Sequence, residues 1–223
     1  YSRGVDGLVI APVQDSDEHI KELIEKNFPF VLIDRDFEEY DTNAVICNES
    51  ESAYNAVKRL IELGHTRICF VSGRLNLYPV IKRLEGYKQS LKDHDLEVDE
   101  NIICSSVPTL EEAYKSALKL LQLASPTTAI LISGTIITLG VLKAILEEGK
   151  SIPKDLSVIG FTDTIFADYF VNPISSVSHA VTKIGTDSFE LLHKHITASN
   201  GIPKSKIIVE TGFVDRNSTK RIN

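Results

Sequence analysis

Arg83 is the residue in this sequence that is best suited to hold a small polar ligand. Its planar guanidinium presents a fork of N–H donors that matches hydroxyl groups or a carboxylate. A loop that carries Tyr78 precedes it, and this loop follows the short apolar run at residues 68–71. Ligands of open α/β sheets bind beyond the carboxyl ends of the strands, so this spacing predicts that Arg83 contacts a ligand. The alternative is an arginine near a helix start that pairs with Glu85 or another neighbouring acid.

Other polar residues are expected at the same edge of the predicted sheets. Thr162 and Asp163 come directly after the apolar run 156–161. Contact with a ligand by one of these two residues competes with a capping role for the segment that follows them. Further candidates lie in loops or at helix starts on this edge, namely Gln14, Asn48, Glu51 and Tyr78.

Motifs for several kinds of catalysis are missing from the sequence. It contains no G-x-G-x-x-G, no G-x-x-x-x-G-K-[ST] and no G-x-S-x-G, which are typical of dinucleotide binding, phosphate binding and nucleophilic catalysis respectively. His193 and His195 are two residues apart on a predicted helix, so they point to different faces and do not form a pair of metal ligands. We therefore expect no enzyme activity, no metal and no cofactor.

Short apolar runs alternate with amphipathic stretches, which predicts an α/β protein with mostly parallel sheets. Gly64 ends an apolar helical stripe just before the run 68–71, as in the αβ units of such sheets. Ser16 is expected to cap the first helix. Strands are predicted at residues 8–11, 30–33, 45–47, 68–71, 101–104, 128–132, 156–161, 175–178 and 206–213. Helices are predicted at residues 16–27, 50–63, 83–94, 111–123, 136–148 and 181–197. The last helix is predicted to bury Ile184, Phe189, Leu192 and Ile196.

The composition is that of an ordinary globular protein, with 43% hydrophobic and 25% charged residues. No apolar run approaches the length that spans a bilayer, so no membrane segment is expected, and the start of the chain lacks the pattern of a secretory signal. The net charge of −7 argues against direct binding of nucleic acid by this chain, because phosphate binding needs clustered lysine and arginine. Cys47, Cys69 and Cys104 are widely spaced in apolar surroundings, which indicates free thiols in a reducing, cytoplasmic compartment.

Several motifs closely resemble signatures of the LacI/GalR family of bacterial transcription regulators. Residues 64–68 (GHTRI) with Gly73, and residues 83–87 (RLEGY), match the family's GH-R-I and R-x-x-G-[FY] patterns. The resemblance continues through residues 126–130 (PTTAI), Gly140, residues 152–161 (IPKDLSVIGF) and residues 173–177 (PISSV). In this order the motifs cover nearly the whole chain.

The resemblance implies the two-lobed periplasmic-binding-protein-like type I fold, in which each lobe is a mostly parallel sheet flanked by helices. We expect the first lobe at residues 1–72 and 178–200, the second lobe at residues 73–177 and 201–216, and a frayed polar tail at residues 217–223. Compared with a complete regulator, the chain resembles an effector domain whose first lobe is truncated at its N-terminus and whose helix-turn-helix segment is absent. Such a lobe is expected to expose apolar sheet edge.

The resemblance also implies roles for individual residues. Arg83 stands where the family has an arginine that binds the effector. Thr162 and Asp163 match the family's G-[FY]-D-[DN], where the first acid commonly binds effector, so the charge at Thr162 has been lost. Thr135, with Gly134 before it, matches the family's N-D pair. These replacements favour an effector that is less hydroxylated and more apolar or anionic than the sugars of the family.

His179 stands where the family has a glutamine or a similar polar residue. We expect it either to exchange one hydrogen bond with a ligand or to have a structural role between the lobes.

The function that the resemblance implies is the effector-binding and dimerisation domain of a LacI-type transcriptional regulator. Its small-molecule effector, a sugar or sugar derivative by family default, would bind in the cleft between the two lobes of the domain. The domain would form a homodimer. Binding would control DNA recognition allosterically, and the DNA contacts would be made by the N-terminal segment. The alternative is a solute-binding receptor of the same fold that serves a transporter or sensor, which an upstream signal peptide would indicate.

Overall fold

The computed structural model describes residues 4–12, 17–37, 39–123, 127–161, 172–198 and 202–222. The chain divides into two compact units. Unit 1 contains Tyr1–Asn48, Leu77–Pro79 and Ala180–Glu210, and unit 2 contains Glu49–Asn76, Val80–His179 and Thr211–Asn223. Each unit has a mostly parallel sheet with helices packed on it, which confirms the predicted fold class.

Unit 1 is built on a parallel sheet that two helices enclose. Its strands, in their order across the sheet, are β1 (Leu8–Ile10), β2 (Phe30–Ile33), β3 (Ala44–Cys47) and β9 (Lys206–Val209). Helix α1 (Glu18–Glu25) covers one face, where the buried cluster contains Ile20, Leu23, Phe30, Leu32, Phe37 and Ala44. Helix α6 (Val181–Thr197) covers the other face, where the buried cluster contains Val31, Val45, Ile184, Leu191, Leu192 and Val209. Alternate residues of β2 thus point to opposite helices, as the pleat of a strand requires.

Unit 2 is built on a larger sheet. Its strands are β4 (Ile68–Ser72), β5 (Ile103–Ser105), β6 (Ala129–Ser133), β7 (Ser157–Phe161), β8 (Ser175–Ser178) and β10 (Gly212–Val214). They pair in the order β10-β8-β7-β6-β4-β5, and β10 runs antiparallel to β8 whereas the other described pairs are parallel. The helices are α2 (Glu49–Glu62), α3 (Tyr78–Asp93), α4 (Leu110–Leu121) and α5 (Thr135–Glu147), and a short 3-10 helix (Glu100–Ile102) precedes β5.

Helices also cover both faces of the sheet in unit 2. Helices α4 and α5 pack on one face, in a buried cluster whose strand residues include Cys69, Val71, Ile130, Ile132 and Val158. Helix α3 covers the opposite face, where the rings of Tyr87 and Phe70 lie 5.4 Å apart and the Tyr87 hydroxyl donates to the carbonyl of Ile68 at 2.8 Å. Burial on both faces is why these strands are continuous apolar runs in the sequence.

Gly86 makes the close contact between α2 and α3 possible. A Cβ atom at this position would lie 1.9 Å from the carbonyl oxygen of Ser50 and 3.0 Å from the backbone nitrogen of Tyr54. Both atoms belong to the backbone of α2, which cannot move aside as a flexible side chain would. The glycine of the RLEGY motif is therefore required by helix packing, and the packing sets the first turn of α2 beside Arg83.

The C-terminal segment packs on unit 2, so the prediction of a frayed tail is wrong. Ser218 is fully buried, and its hydroxyl donates to the carbonyl of Val158 at 2.6 Å and accepts from the N–H of Ser175 at 2.7 Å. Farther along, the N–H of Ile222 donates to the carbonyl of Leu63 at 2.9 Å. Gly64 has a φ of +96° at the end of α2, which is the left-handed C-terminal stop that the sequence predicts.

His65 joins this tail to the segment before β4. The imidazole is fully buried, with Nε2 3.1 Å from the carbonyl oxygen of Lys220 and Nδ1 2.9 Å from Oγ1 of Thr128. Since a carbonyl only accepts hydrogen bonds, Nε2 carries the proton and Nδ1 of the neutral ring accepts from the threonine hydroxyl. Burial lowers the pKa of His65, although the hydrogen bond to Lys220 opposes this effect.

The division between the units differs from the predicted lobe boundaries. Residues 49–72, predicted for the first lobe, belong to unit 2, where β4 lies inside the sheet between β6 and β5. The single strand predicted at residues 206–213 is two strands, β9 in the sheet of unit 1 and β10 in that of unit 2. Both differences arise because pairing between distant segments decides which sheet a strand joins, and an apolar pattern does not encode the partner.

Two local predictions also differ from the structure, and a third lies outside the described residues. Helix α3 begins at Tyr78 rather than near Arg83, because Pro79 is well tolerated in the first turn of a helix. The strand predicted at residues 101–104 begins with a 3-10 turn, in which the Asp99 carboxylate accepts from the N–H of Asn101 at 2.9 Å. The predicted cap Ser16 lies outside the described residues, and α1 starts at Glu18.

Helix α6 has the predicted bounds but a different buried face. Its buried residues are Ile184, Ser188, Leu191 and Leu192. The prediction that Phe189 and Ile196 are buried is wrong, because they are 66% and 39% exposed on another side of the helix. Their hydrophobicity predicted that they lie in the core. The buried face of the helix, however, contains Ser188, and Phe189 and Ile196 lie to one side of that face. Among the residues that the structure describes, neither α6 nor another helix is long and apolar enough to cross a membrane.

The predicted free thiols are confirmed. Cys47 and Cys69 are buried, Cys104 is half-buried, and none of them forms a disulfide. Burial raises the pKa of Cys69 to about 12, so its thiol is protonated at neutral pH and unreactive as a nucleophile.

We expect Gly86→Ala to lower the free energy of unfolding by about 3 kcal/mol or more, because the new methyl group overlaps backbone that cannot yield. Gly185→Ala is the matched control, since Gly185 lies within α6 and a Cβ there meets nothing within 4 Å. That variant should be neutral or more stable by about 0.5–1 kcal/mol. Urea denaturation measures both, and equal effects of the two substitutions would contradict the packing role of Gly86.

We expect the stability of unit 2 to fall as the pH drops below the usual histidine value of 6.5. The folded state holds His65 neutral and the unfolded state takes up a proton, so stability present above pH 6.5 is lost below it, with a slope of at most about 1.4 kcal/mol per pH unit. His65→Gln should flatten the slope in urea denaturation between pH 7.5 and 5. Thr128→Val, which keeps the imidazole, should retain it, and an unchanged slope in His65→Gln would refute the assignment.

Candidate ligand-binding site

Three strands of unit 2 present side chains to one place at their carboxyl ends. Ser72 of β4 is in register with Ser133 of β6, and Ser133 is in register with Phe161 of β7. Registered residues of neighbouring strands point to the same face of a sheet. This is the face that α3 covers, because Phe70, two residues before Ser72, packs on Tyr87 there.

Arg83 extends from α3 to this row of residues. Its Nε donates to Oε2 of Glu49 at 2.7 Å and its Nη2 donates to Oε1 at 3.1 Å, so the two groups form a bidentate ion pair. Its Nη1 donates to the hydroxyl of Ser133 at 3.1 Å. The guanidinium carbon lies 4.4 Å from the centre of the Phe161 ring, within the range of a cation–π contact. Strands, helix α2 and an aromatic face together hold Arg83 in one orientation.

His179 completes the group as a second partner of the Glu49 carboxylate. It follows β8 directly, and its Nε2 lies 2.9 Å from Oε1 of Glu49. Since the carboxylate accepts, Nε2 is the donor. The imidazole ring also lies 6.2 Å from the Phe161 ring, at an angle of 51°. We call this group in unit 2 the arginine cluster, and it consists of Glu49, Arg83, Ser133, Phe161 and His179.

The carboxylate at the centre of the arginine cluster is charged at neutral pH. The side chain of Glu49 is 7% exposed and that of Arg83 is 11% exposed. Burial alone would raise the pKa of Glu49, but hydrogen bonds from His179 and Arg83 and the charge of the guanidinium outweigh it and lower the pKa to about 2. Glu49 is also the first residue of α2, where the helix dipole favours a negative charge.

The arginine cluster retains hydrogen-bonding capacity. A guanidinium has five N–H groups, and three of them donate to Glu49 and Ser133. Five minus three leaves two, one on each terminal nitrogen, and neither has a partner within the described part of the chain. Next to Ser133, the hydroxyl of Ser72 is fully buried and has no hydrogen-bond partner among the described residues. This arrangement of donors and acceptors is suited to binding a polar molecule.

The structure brings two of the predicted site residues together, Arg83 and His179, through their shared partner Glu49. Thr135 is half-buried at the first position of α5, two residues after Ser133. Gln14, Thr162 and Asp163 lie outside the described residues. Ligand contact by any of these residues stays a prediction.

The other candidates are not part of the arginine cluster. Glu51 is on the exposed side of α2. Asn48 and Tyr78 are half-buried and belong to unit 1, the first just after β3 and the second at the start of α3. Their contact with a ligand likewise stays a prediction.

Sequence reasoning missed Glu49, the residue on which the arginine cluster is centred. It chose Glu51 from the same acidic helix start instead. A usable signal was present, since Glu49 precedes the buried Ala53 and Ala56 by four and seven positions and so shares their face of the helix. Glu51 falls on the opposite, solvated face. Ser133 and Phe161 were also missed, because only strand register sets them beside Arg83.

Comparison with known proteins gives the family. Residues 57–219, well over half of the chain, match the periplasmic binding protein-like domain. The chain belongs to this family, in the form found in LacI-type regulators. The LacI-type domain is similar to the HTH-type transcriptional repressor PurR of Vibrio atlanticus, with 29% identity over 221 residues that cover 98% of this chain and 66% of the relative. The chain thus spans slightly less than two thirds of that relative.

Solved structures agree with this assignment. A LacI transcriptional regulator from Bacillus cereus subsp. cytotoxis superposes with a TM-score of 0.93 at 26% identity, covering 100% of this chain and 79% of that one. A LacI family regulator from Enterococcus faecium with bound ribose superposes with a TM-score of 0.90 at 26% identity, covering 100% of this chain and 82% of that one. The resemblance found in the sequence motifs is confirmed.

We expect Arg83→Ala to destabilise the LacI-type domain by about 3–5 kcal/mol, because it leaves the Glu49 carboxylate buried without its main partner. Combining it with Glu49→Gln should recover part of this loss, and Arg221→Ala, at an exposed position, should have little effect. Urea denaturation at pH 7 measures the free energy of unfolding of the wild type, the two single variants and the double variant. Independent, additive effects of the two cluster substitutions would contradict the ion pair.

The stabilisation by the ion pair of Glu49 and Arg83 is lost in acid. The folded pKa of Glu49 is below its usual value of 4.5, so its stabilisation is fully present above pH 4.5 and is lost as the pH falls towards 2.

Proposed function

We propose that this LacI-type domain binds a small-molecule effector at the arginine cluster and thereby controls DNA binding by a transcriptional regulator. The proposal rests on the position of Arg83, which is fixed at the carboxyl ends of the parallel strands and has two N–H groups without a partner among the described residues. A rigid donor at this edge is prepared to bind a polar molecule without first losing side-chain entropy.

The class of effector that we propose is a sugar or sugar derivative. Hydroxyl groups both donate and accept, so they can use the N–H groups of Arg83 and the buried hydroxyl of Ser72 together. The relative from Enterococcus faecium was solved with ribose, which supports a hydroxylated ligand for this chain. The aromatic face of Phe161 is already covered by the guanidinium, so we infer that polar contacts rather than ring stacking select the ligand.

Regulation requires that the effector bind one conformation better than another, since a ligand with equal affinity for both shifts nothing. We propose that the domain acts as a homodimer. We also propose that the DNA contacts are made elsewhere in the regulator, because the net charge of −7 disfavours phosphate binding by this chain. A regulatory rather than catalytic role is further supported by the relatives named above, which are transcriptional regulators.

A thermal-shift screen of the polypeptide as its gene encodes it tests the proposal. The compounds are sugars, sugar phosphates, nucleobases and amino acids, and a binder at one hundred times its Kd should stabilise the folded state by about 2.7 kcal/mol. Arg83→Lys keeps the charge but loses the fork, so it should remove most of the ligand-induced shift. Arg221→Lys is the control and should retain it. If no compound class produces a shift, or if Arg83→Lys responds like the wild type, the proposal fails.

A further inference from the structure

The fork of Arg83 is already filled by a carboxylate from the protein itself. Glu49 accepts from Nε and Nη2 in the bidentate geometry that an anionic ligand would otherwise adopt on a guanidinium. Its second partner, His179, donates to Oε1, the oxygen that also accepts from Nη2 of Arg83. Glu49 therefore occupies the position at which a carboxylate or phosphate of a ligand would bind most strongly.

The charges of Arg83 and Glu49 cancel each other. In this ion pair one guanidinium faces one ionised carboxylate, and both side chains are almost fully buried. An anionic ligand could reach the fork only by displacing Glu49, which would leave that carboxylate buried without its main partner. Alternatively it could bind beside Glu49, where the two negative charges repel each other in a poorly solvated environment.

A neutral ligand meets neither obstacle. It can accept from the two unused N–H groups of Arg83 while the ion pair stays intact. It can also donate to the carboxylate of Glu49, whose Oε2 accepts a single hydrogen bond from the described residues, whereas Oε1 accepts from both Arg83 and His179. The hydroxyl of Ser72 is buried in the same row as Ser133 and has no partner in the described part of the chain, so it offers a further polar contact. Groups that both donate and accept, such as hydroxyls, satisfy these sites without bringing a charge.

We infer that Glu49 is the residue that determines ligand specificity, by neutralising Arg83 so that the site takes neutral hydroxylated molecules and rejects their phosphorylated or carboxylated derivatives. The inference rests on the proposed function and narrows the proposed class, sugars and sugar derivatives, to its neutral members. It assigns the selectivity to a residue two positions from the acid that the sequence pattern had singled out.

Inorganic phosphate tests the charge role of Glu49 without knowledge of the natural effector. Isothermal titration should show that Glu49→Gln binds phosphate at least ten-fold more tightly than the wild type, because the amide leaves the guanidinium charge uncompensated. Glu62→Gln is the matched control, since it removes the same charge from an exposed position at the other end of α2, and it should bind phosphate within two-fold of the wild type. Adding Arg83→Gln to Glu49→Gln should abolish the gain.

Equal phosphate affinity of Glu49→Gln and Glu62→Gln would overturn the inference. Circular dichroism checks that the variants are folded, and Glu49→Asn serves in place of Glu49→Gln if the latter is not.

A second arm uses the wild type and matched pairs of compounds, ribose with ribose 5-phosphate, glucose with glucose 6-phosphate, and galactose with galacturonate. For any pair that binds, the neutral member should bind at least ten-fold more tightly, and a preference for the anionic member would overturn the inference. If no sugar binds the wild type but Glu49→Gln gains phosphate affinity, the proposed sugar effector fails while the role of Glu49 stands. The two failures are therefore distinguishable.

Discussion

The buried ion pair between Glu49 and Arg83 is the interaction on which the candidate site depends. Two charges removed from water are tolerated only where hydrogen bonds compensate each of them, and here Ser133, Phe161 and His179 supply the remaining contacts. The two charged residues come from two helices, and their partners come from the ends of three strands. The pair can therefore exist only when the whole carboxyl edge of the sheet in unit 2 is assembled, which couples the local chemistry to the fold.

Backbone packing brings the two charged residues within reach. Gly86 allows α3 to approach the backbone of α2 at Ser50, immediately after Glu49. A side chain at this position would separate the helices and with them the guanidinium and the carboxylate. The RLEGY motif thus combines two requirements in one turn of helix, a charged residue for the site and a glycine for the contact that positions it. The RLEGY motif is therefore required for the packing of α3 on α2 as well as for the candidate site.

Membership of the LacI-type family sets the architecture, whereas the charges at the candidate site depend on individual side chains of this chain. The sequence has threonine at position 162, where the family commonly has an acid that binds effector, and glycine and threonine in place of the polar pair at 134 and 135. Those changes alone favoured an effector with fewer hydroxyl groups or with a negative charge. In the proposed site, the carboxylate of Glu49 opposes the binding of an anion, because it neutralises the guanidinium.

Sequence by itself determined the α/β class, the family, the bounds of α6 and the stop at Gly64, because apolar periodicity and glycine chemistry act over a few residues. Tertiary structure alone decided which sheet each strand joins, the packing of Ser218 and the tail, and the exposure of Phe189. It also decided which of two acids in the first turn of α2 faces Arg83. The physical reason is that strand pairing, helix packing and burial of charge depend on partners far apart in the chain, and a local pattern does not specify them.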